Sequence, residues 1–214
     1  MKVLVACEES QRVCMAFRNK GHEAYSADLQ ECSGGHPEWH IEGDVIPIIN
    51  GNAAFKTADR MLHAINGEWD LLIAHPPCTY LTVMGARHIW LSDFVPNSER
   101  FEKMREAAKF FMKFYNAKCK KICIENPLPF SFANLPCYTQ IINPYLFGEP
   151  YCKRTCLWLR GLPTLVPTNI IPKEKRISCM QSKWYNEGKS DNERARLRSK
   201  TFVGIANAMA EQWG

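Results

Sequence analysis

The chain has 214 residues, 46% hydrophobic and 23% charged, with a formal net charge of +5. That is the balance of one ordinary globular domain, read here as residues 1–214, and it excludes a disordered or fibrous protein. No apolar run approaches the roughly 18 residues of a membrane span, and the N-terminal strand-like run turns charged at Glu8-Glu9, so neither a membrane helix nor a secretory signal is expected.

In chain order, Lys2 to Ala6 reads as a buried strand, followed by Cys7-Glu8-Glu9-Ser10 and a helical pattern through Val13, Met15, Phe17 and Arg18 that Gly21 ends. His22 to Ala27 reads as a second strand with Asp28 at its end, and Gly43-Asp44-Val45 as the end of a third. The pattern then predicts a helix around Phe55 to Ile65, a strand at Trp69 to Ala74 stopped by Pro76-Pro77, and a helix over Arg100 to Tyr115 with Phe101, Phe111 and Tyr115 facing the core. A strand at Lys121 to Ile124 leads into Glu125-Asn126-Pro127; a strand at Thr155 to Leu159 and a helix from about Thr201 to Trp213 close the chain. Alternating strands and helices imply an α/β fold, a doubly wound and mostly parallel sheet with helices on both faces. In such sheets ligands bind beyond the carboxyl ends of the strands, which is where Glu8, Asp28, Asp44, Cys78 and Glu125 fall.

Cys78 follows two prolines at a strand end, so its thiol is presented at the sheet edge, where a thiolate can attack an electrophilic carbon. An inert buried cysteine is the competing reading. Glu125, at the end of the next strand, changes the balance: a carboxyl group beside a thiol can protonate or hydrogen-bond a pyrimidine nitrogen while sulfur adds to C6 and activates C5. His75 reads as a residue that supports this pair. The ten cysteines are dispersed through predicted elements and read as reduced cytoplasmic thiols. Neither Cys32, His36 and His40 nor Cys152 and Cys156 has paired zinc-site spacing, so no metal is expected.

On these residues the chain resembles the C5-cytosine-specific DNA methyltransferases, in a compact form familiar from phage and prophage genomes. Pro76-Pro77-Cys78 is similar to that family's Pro-Cys loop, and Glu125-Asn126 to its Glu-Asn motif, with Pro127 replacing the customary valine. The resemblance implies a Rossmann-like class I methyltransferase fold using S-adenosylmethionine. It implies that Cys78 attacks C6, that Glu125 contacts N3, that Asn126 helps hold the loop, and that Arg154, in Lys153-Arg154, carries the arginine motif. On the cofactor side it implies Cys7, Glu8 and Ser10 in the loop after the first strand, Asp28 and Leu29 at the ribose, Asp44 and Val45 at the adenine, with Pro76 and Asn207 adjoining them. The methionine end of the cofactor is expected at the helix N-terminus near Ser10 and Gln11, with Glu8 on its ammonium group. The chain departs from the family in lacking the glycine-rich cofactor loop, in having Cys156 where another arginine is usual, and in a short recognition segment, residues 162–200.

That segment is basic. Between Lys173 and Lys200 nine cationic residues face four acidic ones, a surplus equal to that of the whole chain. Arg176, Lys183, Trp184, Arg196 and Arg198 are candidate contacts to phosphates and bases, as are Arg87 and His88 in the loop after Cys78; a solvated polar surface is the competing reading. Two alternatives stay open beside DNA methylation in a bacterial or phage-infected cytoplasm. One is a catalytically degenerate, anti-restriction-like binder of nucleic acid; the other is a methyltransferase acting on a free pyrimidine nucleotide or on RNA.

Overall fold

The computed structural model describes residues 1–214 apart from 84, 86–88, 93–94 and 189, and the side chains of 184, 191 and 192. Its strands are β1 (Lys2–Ala6), β2 (Glu23–Asp28), β3 (His40–Glu42), β4 (Ala53–Lys56), β5 (Leu62–Ile65), β6 (Leu71–Ala74), β7 (Trp90–Ser92), β8 (Val95–Pro96), β9 (Ile122–Pro127), β10 (Gln140–Ile142), β11 (Tyr151–Cys152), β12 (Thr155–Arg160) and β13 (Ile177–Ser178). The helices are α1 (Arg12–Asn19), α2 (Ser98–Tyr115), α3 (Lys183–Asn186), α4 (Asp191–Ser199) and α5 (Val203–Trp213). Among the described residues no helix is long and apolar enough to cross a membrane.

Seven strands form the central sheet in the order β10-β12-β9-β6-β1-β2-β3. The five from β9 to β3 run parallel, and β12 and β10 add antiparallel pairings at one edge. Strands covered on both faces must be apolar on both, which is why β1 and β6 are continuous hydrophobic runs. Their alternate residues supply two separate cores. Val3, Val5, Leu71 and Ile73 pack with Val13 and Phe17 of α1 and Ile205, Met209 and Trp213 of α5. Leu4, Ala6, Leu72 and Ala74 pack on the other face with Met104, Phe111 and Phe114 of α2.

The predicted elements match these except at two points. The helix expected around Phe55 to Ile65 is a β-hairpin, with Phe55 opposite His63 and Ala53 opposite Ile65. Its turn is held by the Asp59 carboxylate, which accepts from the Thr57 hydroxyl at 2.6 Å and the Met61 amide at 3.2 Å, and Arg60 adopts a left-handed φ of 71°. Phe55 and Ile65 are buried on the sheet, where Phe55 meets Tyr25 edge-on at 5.1 Å; long-range packing, absent from any local pattern, selected the hairpin. The second point is Tyr115, which is 38% exposed at the end of α2, while Phe111 is buried and Phe101 packs at the margin.

The chain leaves β1 toward β2 and β3 on one side and returns to place β6 and β9 on the other. The direction of winding therefore reverses between β1 and β6, and the loops after these two strands flank the crevice where such folds bind ligands.

Candidate active site

The β6 strand ends at Ala74, and the amide of His75 still bonds back to Ala6 O at 2.9 Å, so the Pro-Cys loop departs from the switch point. Pro76 is buried, Pro77 exposed and Cys78 half-buried. Three contacts pin this loop to the exit of β9. Asn126 Nδ2 donates to Pro76 O at 2.7 Å, the Phe130 amide to Leu81 O at 2.7 Å, and the Val83 amide to Leu128 O at 3.2 Å. The parallel register that sets Ala74 against Ile124 brings the next residue pair, His75 and Glu125, side by side. His75 Nδ1 and Glu125 Oε2 are 3.1 Å apart, with side chains only 7% and 17% exposed.

The electrostatics of this group are coupled. For His75, burial opposes the charged ring, but the hydrogen bond and charge of Glu125 and the charge of Glu8 outweigh it and hold the imidazole above its usual range. For Glu125, burial again opposes charge, and the bond and charge of His75, the Lys153 ammonium and the Thr155 hydroxyl overcome it and hold the carboxyl below the usual range. The Cys78 thiol is pushed up by burial and then by the Glu125 charge, against the partial relief of Lys153. His75 and Glu125 thus each favour the charged form of the other, while the neighbouring thiol is held toward its protonated form.

On the β1–β2–β3 side, Cys7, in the loop that lacks glycines, takes a left-handed φ of 58°. Burial and the charges of Asp28 and Asp44 push its thiol up to about 12, which places both carboxylates within its electrostatic reach. Asp28 and Asp44 each accept the amide two residues on, from Gln30 and Ile46, at 3.0 Å. Leu29 is 76% exposed beside Asp28, whereas Val45 is buried in the core. Ser10 is buried and Asn207 lies exposed on α5.

The helix N-terminus expected to receive the methionine end of a cofactor is occupied by the protein itself. Glu8 accepts from the amides of Val13 at 2.7 Å and Cys14 at 3.1 Å. The first amides of a helix lack intrahelical partners, and the carboxylate of Glu8, four residues ahead of the helix, satisfies two of them. Burial raises the Glu8 carboxyl above its usual range despite the charge of His75 and these two donors. Gln11, also at positive φ (57°), closes the loop by pairing with the backbone of His36 at 2.8 and 3.1 Å.

Much of the basic segment is turned inward. Arg196 bonds Glu9 at 3.2 Å, Lys200 lies 3.9 Å from the same carboxylate, and Glu9 is buried in the loop after β1, so Arg196 is not the free phosphate contact that its sequence position promised. Arg198 stacks on Tyr185 at 4.0 Å and donates to its carbonyl, and Arg176 lies 3.9 Å over Tyr145. Lys183 is exposed. Arg87, His88 and the side chain of Trp184 lie outside the described residues. Arg154 is exposed, and it is Lys153 whose charge reaches Cys78, Glu125 and His75. Cys156 is buried in β12. The His40 ring is committed to Ser26 Oγ at 2.9 Å and Gln30 O at 2.8 Å. Sequence reasoning missed Lys153 and Glu9 and gave His75 too small a part; the parallel strand ends, with His75 one residue past Ala74 and Glu125 one past Ile124, were the available signal for that pairing.

No family model matches the chain, and no curated protein matches it. Solved structures similar to it include three methyltransferases. A prophage-encoded E. coli protein described as a DNA modification methyltransferase is 12% identical, with TM-score 0.44, over 80% of this chain and 52% of that one. The Dnmt2 methyltransferase of S. pombe is 14% identical, with TM-score 0.40, over 77% and 51%. A mutant DNMT2 of Spodoptera frugiperda is 13% identical, with TM-score 0.38, over 79% and 54%. The chain thus spans about half the length of the methyltransferases to which it is similar.

Proposed function

We propose that the chain transfers a methyl group from S-adenosylmethionine to C5 of cytosine in DNA, with Cys78 as nucleophile and Glu125 as the group that meets the ring nitrogen N3. The observation that carries this reading is the tie between the Pro-Cys loop and the Glu-Asn strand end: Asn126 bonds Pro76 O at 2.7 Å and Cys78 lies within the field of Glu125. Sulfur adds to C6 while N3 is protonated, which leaves C5 electron-rich. The Cys78 thiol is held toward its protonated form by burial and then by the Glu125 charge, and the Lys153 ammonium favours the thiolate that attacks. After transfer, the C5 proton leaves to solvent, the C6–S bond breaks to return the Cys78 thiolate, and N3 gives its proton back to Glu125.

Asp28 and Asp44 suit hydroxyl and amino donors of a nucleoside, and the exposed Leu29 suits the flat face of its base, so the nucleoside half of the cofactor fits these residues. The bound cofactor supplies the methyl group. Its charged end needs partners other than the α1 terminus, which Glu8 fills. The basic segment at 162–200 is the proposed contact to DNA, with Lys183 and Arg196 the exposed cations of the predicted set there and Arg196 paired with Glu9.

Incubation with methyl-labelled cofactor and mixed-sequence DNA should yield 5-methylcytosine, and Cys78→Ala should abolish it. Full activity in that variant would refute the mechanism, and methylation of free nucleotide or RNA alone would refute the substrate. The self-filled helix terminus favours one other reading, a binding protein without catalysis. Calorimetry showing salt-sensitive DNA binding but no cofactor binding would select it.

A further inference from the structure

We propose that His75 stores the proton that Glu125 delivers to N3, so that the two side chains work as a single acid. This rests on the methyltransferase reading above and assigns a source to the proton which that reading requires. The hydrogen bond and charge of His75 hold Glu125 toward its carboxylate form, so the proton that N3 takes needs a second source. The titratable side chain bonded to Glu125 is His75, whose Nδ1 lies 3.1 Å from Oε2, between side chains that are almost wholly enclosed. The other ring nitrogen, Nε2, is buried and has no hydrogen-bond partner among the described residues. Nδ1 is thus the ring nitrogen with a partner, and a proton leaving the ring toward that partner goes to Glu125. The charged groups around the ring are Glu125 from β9, Glu8 from the loop after β1 and Lys153 from the turn before β12. Burial and the ammonium oppose the imidazolium, the two carboxylates favour it and outweigh them, and the ring faces Glu125 across one hydrogen bond.

The balance is as follows, starting from the Cys78 thiolate, whose own proton has already gone to water. The sulfur forms a bond to C6, and the electrons of the C5–C6 double bond move toward C5 as N3 takes a proton from Glu125. Glu125 in turn takes the proton of His75 Nδ1. The ring adduct is neutral, Glu125 is again a carboxylate, and His75 has become neutral imidazole. When the C6–S bond breaks, N3 returns its proton and His75 recovers its charge.

Two measurements test this. The first is nitrogen-15 NMR of histidine-labelled, ligand-free protein across pH. His75 should remain an imidazolium above pH about 7 in wild type, and Glu125→Gln should bring its titration down by more than about one pH unit. Titration of wild-type His75 at or below about 6.5, its ordinary value, would overturn the proposal. The second is the pH profile of methylation by His75→Gln. The working proton must then reside on Glu125, whose ordinary range lies about 2 pH units below that of imidazole, so the alkaline limb of kcat should move down by more than about one pH unit while KM for DNA stays within about twofold. A uniform fall in kcat with the limb unmoved would mean that His75 is only structural and would overturn the proposal. If wild type makes no 5-methylcytosine, the methyltransferase reading falls and the transfer to N3 with it. The NMR experiment still reports separately whether the pair holds the proton.

Discussion

Replacing Asn126 by alanine separates holding the fold from holding the loop. Asn126 is buried, its Nδ2 donates to Pro76 O at 2.7 Å, and its Oδ1 has no donor among the described residues. Removing the side chain strands the Pro76 carbonyl at a cost of about 1–3 kcal/mol, but it also removes an acceptor whose burial without a partner costs a similar amount. These two effects largely cancel, so the global stability of Asn126→Ala should lie within about 1 kcal/mol of wild type, a shift of about 2–4 °C in Tm for a chain of this size. The loop itself loses a bond worth about 1 kcal/mol, which raises its opening equilibrium about fivefold. Alkylation of Cys78 by iodoacetamide, followed by mass spectrometry, reads that equilibrium, and the exposed Cys137 and Cys152 serve as internal references. The expected result is a rise of about two- to tenfold at Cys78 with no change at the references. An unchanged Cys78 rate, or a Tm loss above about 8 °C, would refute the reasoning: the first would show that the bond does not restrain the loop, the second that Asn126 is a global support.

Three further outcomes are expected. Glu9→Gln removes the carboxylate held by Arg196 and Lys200, so DNA binding should strengthen at low salt, and the slope of log K against log salt should steepen by about one to two as those cations become available to phosphates. Lys153→Met removes the cation that favours both the Cys78 thiolate and the Glu125 carboxylate. Thiolate formation should move to higher pH, and Cys78 alkylation at pH 8 should slow relative to wild type, as followed by the pH-rate profile of that single thiol. Arg60→Gly relieves a left-handed residue on an exposed turn; thermal melts should show stabilisation by about 0.5–1 kcal/mol, whereas a helix at this position would be weakened by glycine.

The strands were legible because a sheet covered on both faces demands unbroken apolar runs, and Lys2–Ala6 and Leu71–Ala74 are such runs with turn residues behind them. The carboxyl-edge position of Cys78 and Glu125 followed from that alternation alone. The β4–β5 segment was misread because its apolar residues fit a helical stripe as well as a hairpin, and the packing of Phe55 on Tyr25, distant in the chain, and on Trp69 favours the hairpin. Glycine was missing from the loop after β1, yet its backbone still turns left-handed at Cys7 and Gln11, because the contacts around it offset the local strain.

Charge was the least legible property. A count of lysines and arginines locates a basic segment, but the partner of each cation depends on which loop folds beneath it, and here the buried Glu9 engages Arg196 and Lys200 from a point almost the whole chain away. The same holds at the candidate site. Local sequence determined that a thiol and a carboxyl group stand at neighbouring strand ends, since strand termination is set by prolines and apolar runs. Tertiary structure alone decided their protonation, because that depends on burial and on charges brought in by other elements: His75 beside Glu125, Lys153 near both Glu125 and Cys78, and Glu8 folded onto its own helix.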